Sequence, residues 1–165
     1  MTGAAFGACP DLPGAEASGP VILFDVVDAE QPQDPPLLRI YADGQLRVRL
    51  RGDVLDGGMS REALATLLHD IVVTGKLAEI DGSAIREALT QVDQTPQKDG
   101  TIRLGGVMAD APTSFLRVDL PDCRFDVQVF GSALSARQHP DVAPLQRFRQ
   151  IEVQLLEIVT QVQTR

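Results

Sequence analysis

Arg39, Arg47, Arg49 and Arg51 lie within one short stretch, RIYADGQLRVRLRG (39–52), of a chain whose formal net charge is -8. Guanidinium groups at alternate strand positions share a face. Each offers a planar fork that grips a carboxylate through two hydrogen bonds, which Lys does not. The pattern therefore points to recognition of an acidic partner or a carboxylate ligand by Arg39, Arg47, Arg49 and Arg51, with Tyr41 as an amphipathic anchor beside them. The type preference carries less weight than the spacing, because the chain uses Lys only at Lys76 and Lys98. The competing reading is a solvated sheet face whose arginines pair with Asp25, Asp119 or Asp126 on adjoining strands.

Other chemistries find little to stand on. The histidines are His69, beside Asp70, and His139, before Pro140. Neither sits in a ligand spacing, so no metal site is assigned. GDVLDGG (52–58) resembles a calcium loop only superficially, since its acids are spaced by three and no closing Glu follows. It reads as a turn leading into a helix. SALS (132–135) is not a G-x-S-x-G elbow, and no glycine-rich loop joins a strand to a helix in the manner of a phosphate cradle. Asp110, Asp119, Asp122 and Asp126 could be drawn as a carboxylate pair, but two of them already face arginines in the hairpin described below. No catalytic residue and no cofactor is assigned, and the expectation is a protein that is not an enzyme.

Composition narrows the partners further. At 165 residues, 44% hydrophobic and 23% charged, the chain has the make-up of an ordinary globular protein. The acidic balance repels nucleic acid at long range, and a 4% aromatic content without Trp leaves few stacking platforms. No apolar run approaches the ~18 residues of a membrane span. Residues 1–19 read as a disordered leader and 20–165 as one domain. The leader lacks the basic and apolar regions of a signal peptide, so the expected compartment is the cytoplasm. FGAC and its Pro, Gly and Ala-rich spacer faintly resemble a lipoprotein cleavage site, which gives an exported or lipid-anchored alternative if the start is truncated. A disulfide between Cys9 and Cys123 is open to the chain but unsupported by the sequence, and no C-x-x-C occurs.

The elements that would position the arginines follow from periodicity. Val21–Val27 is an apolar strand interrupted by Asp25, and the Pro-broken segment 29–36 leads into a hairpin around Asp43-Gly44. A two-residue turn would pair Ile40 with Arg47 and mix core with solvent. A three-residue loop with a left-handed Gly44 pairs Ile40 with Leu46 and Leu38 with Val48, and sets Arg39 opposite Arg47. That like-charge pair disfavours the sheet, so something should offset it. A second hairpin turns at Pro121-Asp122, with Leu116, Val118, Leu120, Cys123, Phe125 and Val127 inward, Arg117 opposite Asp126, and Asp119 opposite Arg124. Thr101–Met108 reads as a weak strand.

Three helices are expected. One is capped by Ser60 and ends near Gly75, one spans about Ser83 to Gln94, and one runs from about Pro144 to Val162. The last carries an apolar arc of roughly 160°, broad enough to cover a sheet. The fold class is α+β, with an antiparallel sheet of about four to six strands built from two hairpin–helix (ββα) units and helices packed on one face. The functional expectation is a non-enzymatic bacterial interaction or binding module that uses the Arg-rich sheet face, the C-terminal helix, or both, with self-association into a homodimer as a corollary. The alternative is a small-ligand-binding or accessory domain of an enzyme system.

Overall fold

The structure, a computed structural model, describes residues 11–94 and 111–165, the side chains of 92–94 excepted. Six strands form one antiparallel sheet in the order β4-β3-β2-β1-β5-β6. They are β1 (Pro20–Val27), β2 (Leu38–Tyr41), β3 (Gln45–Leu50), β4 (Asp53–Gly58), β5 (Thr113–Leu120) and β6 (Cys123–Phe130). Four α-helices accompany them: α1 (Arg61–His69), α2 (Gly82–Gln94), α3 (Ser132–Gln138) and α4 (Ala143–Gln163). β1 joins the halves, pairing β2 on one side and β5 on the other. The proposed strand Thr101–Met108 lies outside the described residues, as do Asp110 and Cys9.

Both hairpins adopt the registers that separate core from solvent. Leu38 faces Val48, Arg39 faces Arg47 and Ile40 faces Leu46. Gly44 takes φ +89, and an added Cβ there would stand 2.0 Å from the Met59 carbonyl oxygen, so turn geometry and a close backbone approach both require glycine. In the second hairpin Leu116 faces Val127, Arg117 faces Asp126 and Leu120 faces Cys123.

Segment 52–58 departs from expectation: it forms β4, paired with β3 from Gln45↔Gly58 to Leu50↔Asp53. Arg51 and Gly52 both have positive φ, 49 and 92, which makes them the two-residue loop of a third hairpin. Arg51 thus leaves the strand and does not belong to the arginine stripe. Segment 132–138, which has no long apolar period, also forms a helix. α3 starts after Gly131, held at φ 58.

The inner face of the sheet is apolar, with Ile22, Leu38, Ile40, Val48 and Val118 fully buried beneath the helices. Ser60 caps α1 by accepting the Ala63 amide at 3.0 Å. The breadth of α4 is spent here: Leu145, Phe148, Ile151, Leu155, Val159 and Val162 are all buried, and the helix packs on β3 and β4. Each such side chain contributes about 1.5–3 kcal/mol by leaving water. The two sheet edges differ. The start of α2 closes on β6, where a Cβ at Gly82 would meet the Gln128 carbonyl at 1.9 Å. On β4, Asp53, Val54, Asp56 and Gly58 remain exposed.

Candidate functional site

Cross-strand partners project from the same side of a sheet, so the registers define rows across its outer face. One row crosses all six strands: Asp56, Arg47, Arg39, Leu23, Arg117 and Asp126, from β4 to β6. The next row includes Val54, Arg49, Asp25, Phe115 and Gln128. The structure therefore brings Arg39, Arg47 and Arg49 to one face and gives them different surroundings.

Arg49 is committed to a clamp. Its Nη2 lies 2.8 Å from Oδ1 of Asp25, whose side chain is fully buried, and its Nη1 donates to Oε1 of Gln33. Asp25 also accepts the amides of Val26, Gln33 and Leu37 at 3.0, 2.7 and 3.1 Å. Four donors converge on one carboxylate, satisfying a charge that burial would otherwise penalise heavily. The Pro-rich loop 28–37, with a cis Asp34-Pro35 peptide, is thereby pinned over the outer face. Arg49 is a structural residue here and not a contact residue of an open strip.

Arg47 stays accessible. Its guanidinium lies 5.3 Å from the centre of the Tyr41 ring, and its Nε lies 3.7 Å from Asp56. Both ionic side chains are largely solvated, so that pair contributes no more than about 1 kcal/mol and leaves Arg47 open to competition by another carboxylate. At the far end of the row Arg117 donates to Asp126 at 2.6 Å, and Arg124 reaches the same carboxylate at 3.3 Å instead of Asp119 across from it. Partial burial pushes the Asp126 carboxyl up. The Arg117 hydrogen bond and the two nearby cations outweigh that and hold it below the ordinary carboxylate range.

Arg39 is the exception. It is half-buried between Leu23 and Arg47, and among the described residues no carboxylate pairs with it. Its Nε is buried without a hydrogen-bond acceptor among the described residues, as are those of Arg49 and Arg147, which unlike Arg39 have acid partners. Burying an unsatisfied donor costs about 1–3 kcal/mol, and the facing cation adds to that. The row is thus balanced at both ends and unbalanced in the middle.

Two walls bound this row. One is the clamped loop, where Gln31 and Pro32, with Leu23, Phe115 and Arg117, enclose a cleft of about 280 Å³. The other is segment 13–20, which with Val21, Leu23, Arg117 and Asp119 lines a cleft of about 460 Å³. Arg61 ties that segment to the hairpin, donating to the carbonyls of Ala42 at 2.8 Å and Pro13 at 3.1 Å. Leu23 and Arg117 belong to both clefts, so together these form a trough across the strands. Neither residue stands out in sequence, because their role comes from the order of strands and not from local pattern.

Elsewhere, Glu152 is buried on α4 and accepts from Ser132 at 2.5 Å and Arg149 at 2.7 Å, with Ser114 3.5 Å from Ser132. This network joins α3 and α4 to β5 and opens to none of the clefts above. Among the described residues no group of three or more His, Cys, Asp and Glu could hold a metal ion, and no helix is long and apolar enough to cross a membrane. Cys123 is disulfide-bonded, and Cys9 is the one other cysteine in the sequence. Comparisons with protein-family models, curated proteins and solved structures return no match for this chain.

Proposed function

We infer that this chain is a non-enzymatic interaction module that receives an acidic protein partner on the outer face of its sheet. Arg39 and Arg47 are the contacting cations, and Tyr41 is the adjoining anchor. The observation that carries this reading is Arg39, a half-buried cation that faces another cation and has no acid partner among the described residues; such an arrangement costs stability, and local costs of this kind concentrate at functional sites. The C-terminal helix offers less, since its apolar arc is used against the sheet and only Val153 of its large hydrophobic residues is well exposed. The disulfide at Cys123 supports the exported alternative over a cytoplasmic one, because such bonds persist in oxidising compartments.

A photo-crosslinking residue placed at Val54 or Gln45, exposed on the outer side, tests the reading in the native cell. The expected result is one recurrent adduct whose cross-linked peptide contains Asp or Glu, lost in Arg39→Glu/Arg47→Glu. Adducts obtained only from Val153 on α4 would move the interface to the helix and refute this reading.

A further inference from the structure

Away from the arginine row, the outer face carries a further cleft of about 750 Å³ that the docking reading does not use. We propose that this cleft binds a small zwitterion, an amino acid or a short peptide with free ends. Its ammonium group meets Asp28 and Glu30, its carboxylate meets Arg86, and its apolar body lies on Phe130.

The strand registers build this site. Val27, Thr113 and Phe130 form one cross-strand row on the outer face, and Asp25, Phe115 and Gln128 form the next. Thr113, Gln128 and Phe130 are the members of these rows that floor the cleft. Residues 28–31 leave β1 directly and make one wall, and Arg86 on α2 makes another. The sheet runs β1-β5-β6 and α2 packs on β6, so these two walls stand on opposite sides of the floor. Both are anchored. Asp25 accepts the amides of Val26 and Gln33, which flank the loop wall, while Ile85, next to Arg86, is buried and the start of α2 closes on Gln128. A site held in this way loses little freedom when a ligand enters.

Charge divides between the same two walls. The acids Asp28 and Glu30 belong to the β1 side and the cation Arg86 to the α2 side, and among the described residues no ion pair joins them. A ligand that is only an anion meets two acids, and one that is only a cation meets Arg86. A ligand charged oppositely at its two ends satisfies both walls. The guanidinium suits its carboxylate, which it can hold through two hydrogen bonds. With no net charge of its own, a zwitterion is also not repelled at long range by a chain of net charge -8. Between the charged walls Phe130, 42% exposed, offers an apolar surface for the body of the ligand. An apolar surface with a few polar groups around it, in a volume of about 300–1,000 Å³, is the usual make-up of a small-molecule site.

The test titrates the full chain, labelled with ¹⁵N, with leucine and with the dipeptide alanyl-leucine, each also as its N-acetyl and its C-terminal amide form. At least one of the two free zwitterions should shift the amides of Thr113, Gln128 and Phe130 saturably, and which of them binds more tightly separates an amino-acid ligand from a peptide. Its acetyl and amide forms should each bind at least tenfold more weakly. Arg86→Gln should abolish the difference between the free and amide forms and keep the acetyl penalty. Asp28→Asn/Glu30→Gln should do the reverse. All three side chains are exposed, so these variants keep the fold, which the unchanged amide spectrum of β1 and β2 verifies. Arg39→Glu should leave every affinity unchanged, which keeps this site independent of the docking face. No saturable shift with either free zwitterion at 10 mM overturns the proposal. So does equal binding of the acetyl or amide form to the wild type, or a charge preference that survives the matching variant.

Discussion

Removing the Asp25 carboxylate should be among the most costly single changes outside the apolar core. Asp25→Ala leaves Arg49 without its ion partner at a position where only 23% of its side chain meets water, and it strips an acceptor from three backbone amides. Breaking a buried pair from one side costs about 3–5 kcal/mol. For a chain of this size each kcal/mol moves the thermal midpoint by about 2–4 °C, so a fall of roughly 6–20 °C is expected. Arg49→Gln should cost less, about 1.5–3 kcal/mol, because Asp25 keeps its three amide donors. Urea unfolding of both variants measures the difference. Hydrogen exchange adds a local readout, since the amides of Gln33 and Leu37 should lose protection in Asp25→Ala ahead of the β5–β6 ladder. A cost under about 1 kcal/mol for Asp25→Ala, or a larger one for Arg49→Gln, would refute the clamp as the element that fixes the loop.

Further outcomes follow from the same geometry. Gly44→Ala and Gly52→Ala both place an L residue at positive φ, but only the first drives a Cβ into a carbonyl, so calorimetry should show about 1 kcal/mol for Gly52 and about 2 kcal/mol or more for Gly44. The Asp126 carboxyl, followed by NMR, should titrate below the ordinary aspartate range and move up in Arg117→Ala. Because its folded value is depressed, its contribution to stability is present above the unfolded pKa near 4 and is lost as pH falls through the lower folded value. Cys123→Ser should lower stability by about 2–4 kcal/mol under oxidising conditions and have little effect once a reductant is present.

The hairpins were legible because a one-residue slip would have mixed guanidinium groups with Leu and Ile on a buried side. The contrast between Ile40–Leu46 and Ile40–Arg47 settles the first, and the charge pairs Arg117–Asp126 settle the second. β4 escaped sequence reasoning because GDVLDGG lacks alternation, as an exposed edge strand permits, and because Arg51-Gly52 is a weaker hairpin signal than Asn-Gly. α3 is too short to show a period. For the site, the shared face of Arg39 and Arg47 was visible, and Asp25 was named as an acid that could pair with the arginines, but that it takes Arg49 was not visible. Asp25 announced itself as the one charge in an apolar strand, yet its choice of partner depends on β1 lying beside β2, a long-range fact no local pattern contains.

The seating of Val162 against Gly57 ties the last helix to the first half of the sheet, 2.9 Å separating the valine Cγ2 from where a Cβ would stand. During synthesis the inner surface of β3 and β4 is finished long before α4 leaves the ribosome. A nascent chain halted ahead of residue 143 therefore leaves Leu46 and Val48 without the cover of α4, exposed apolar surface of the kind that promotes aggregation before folding is complete.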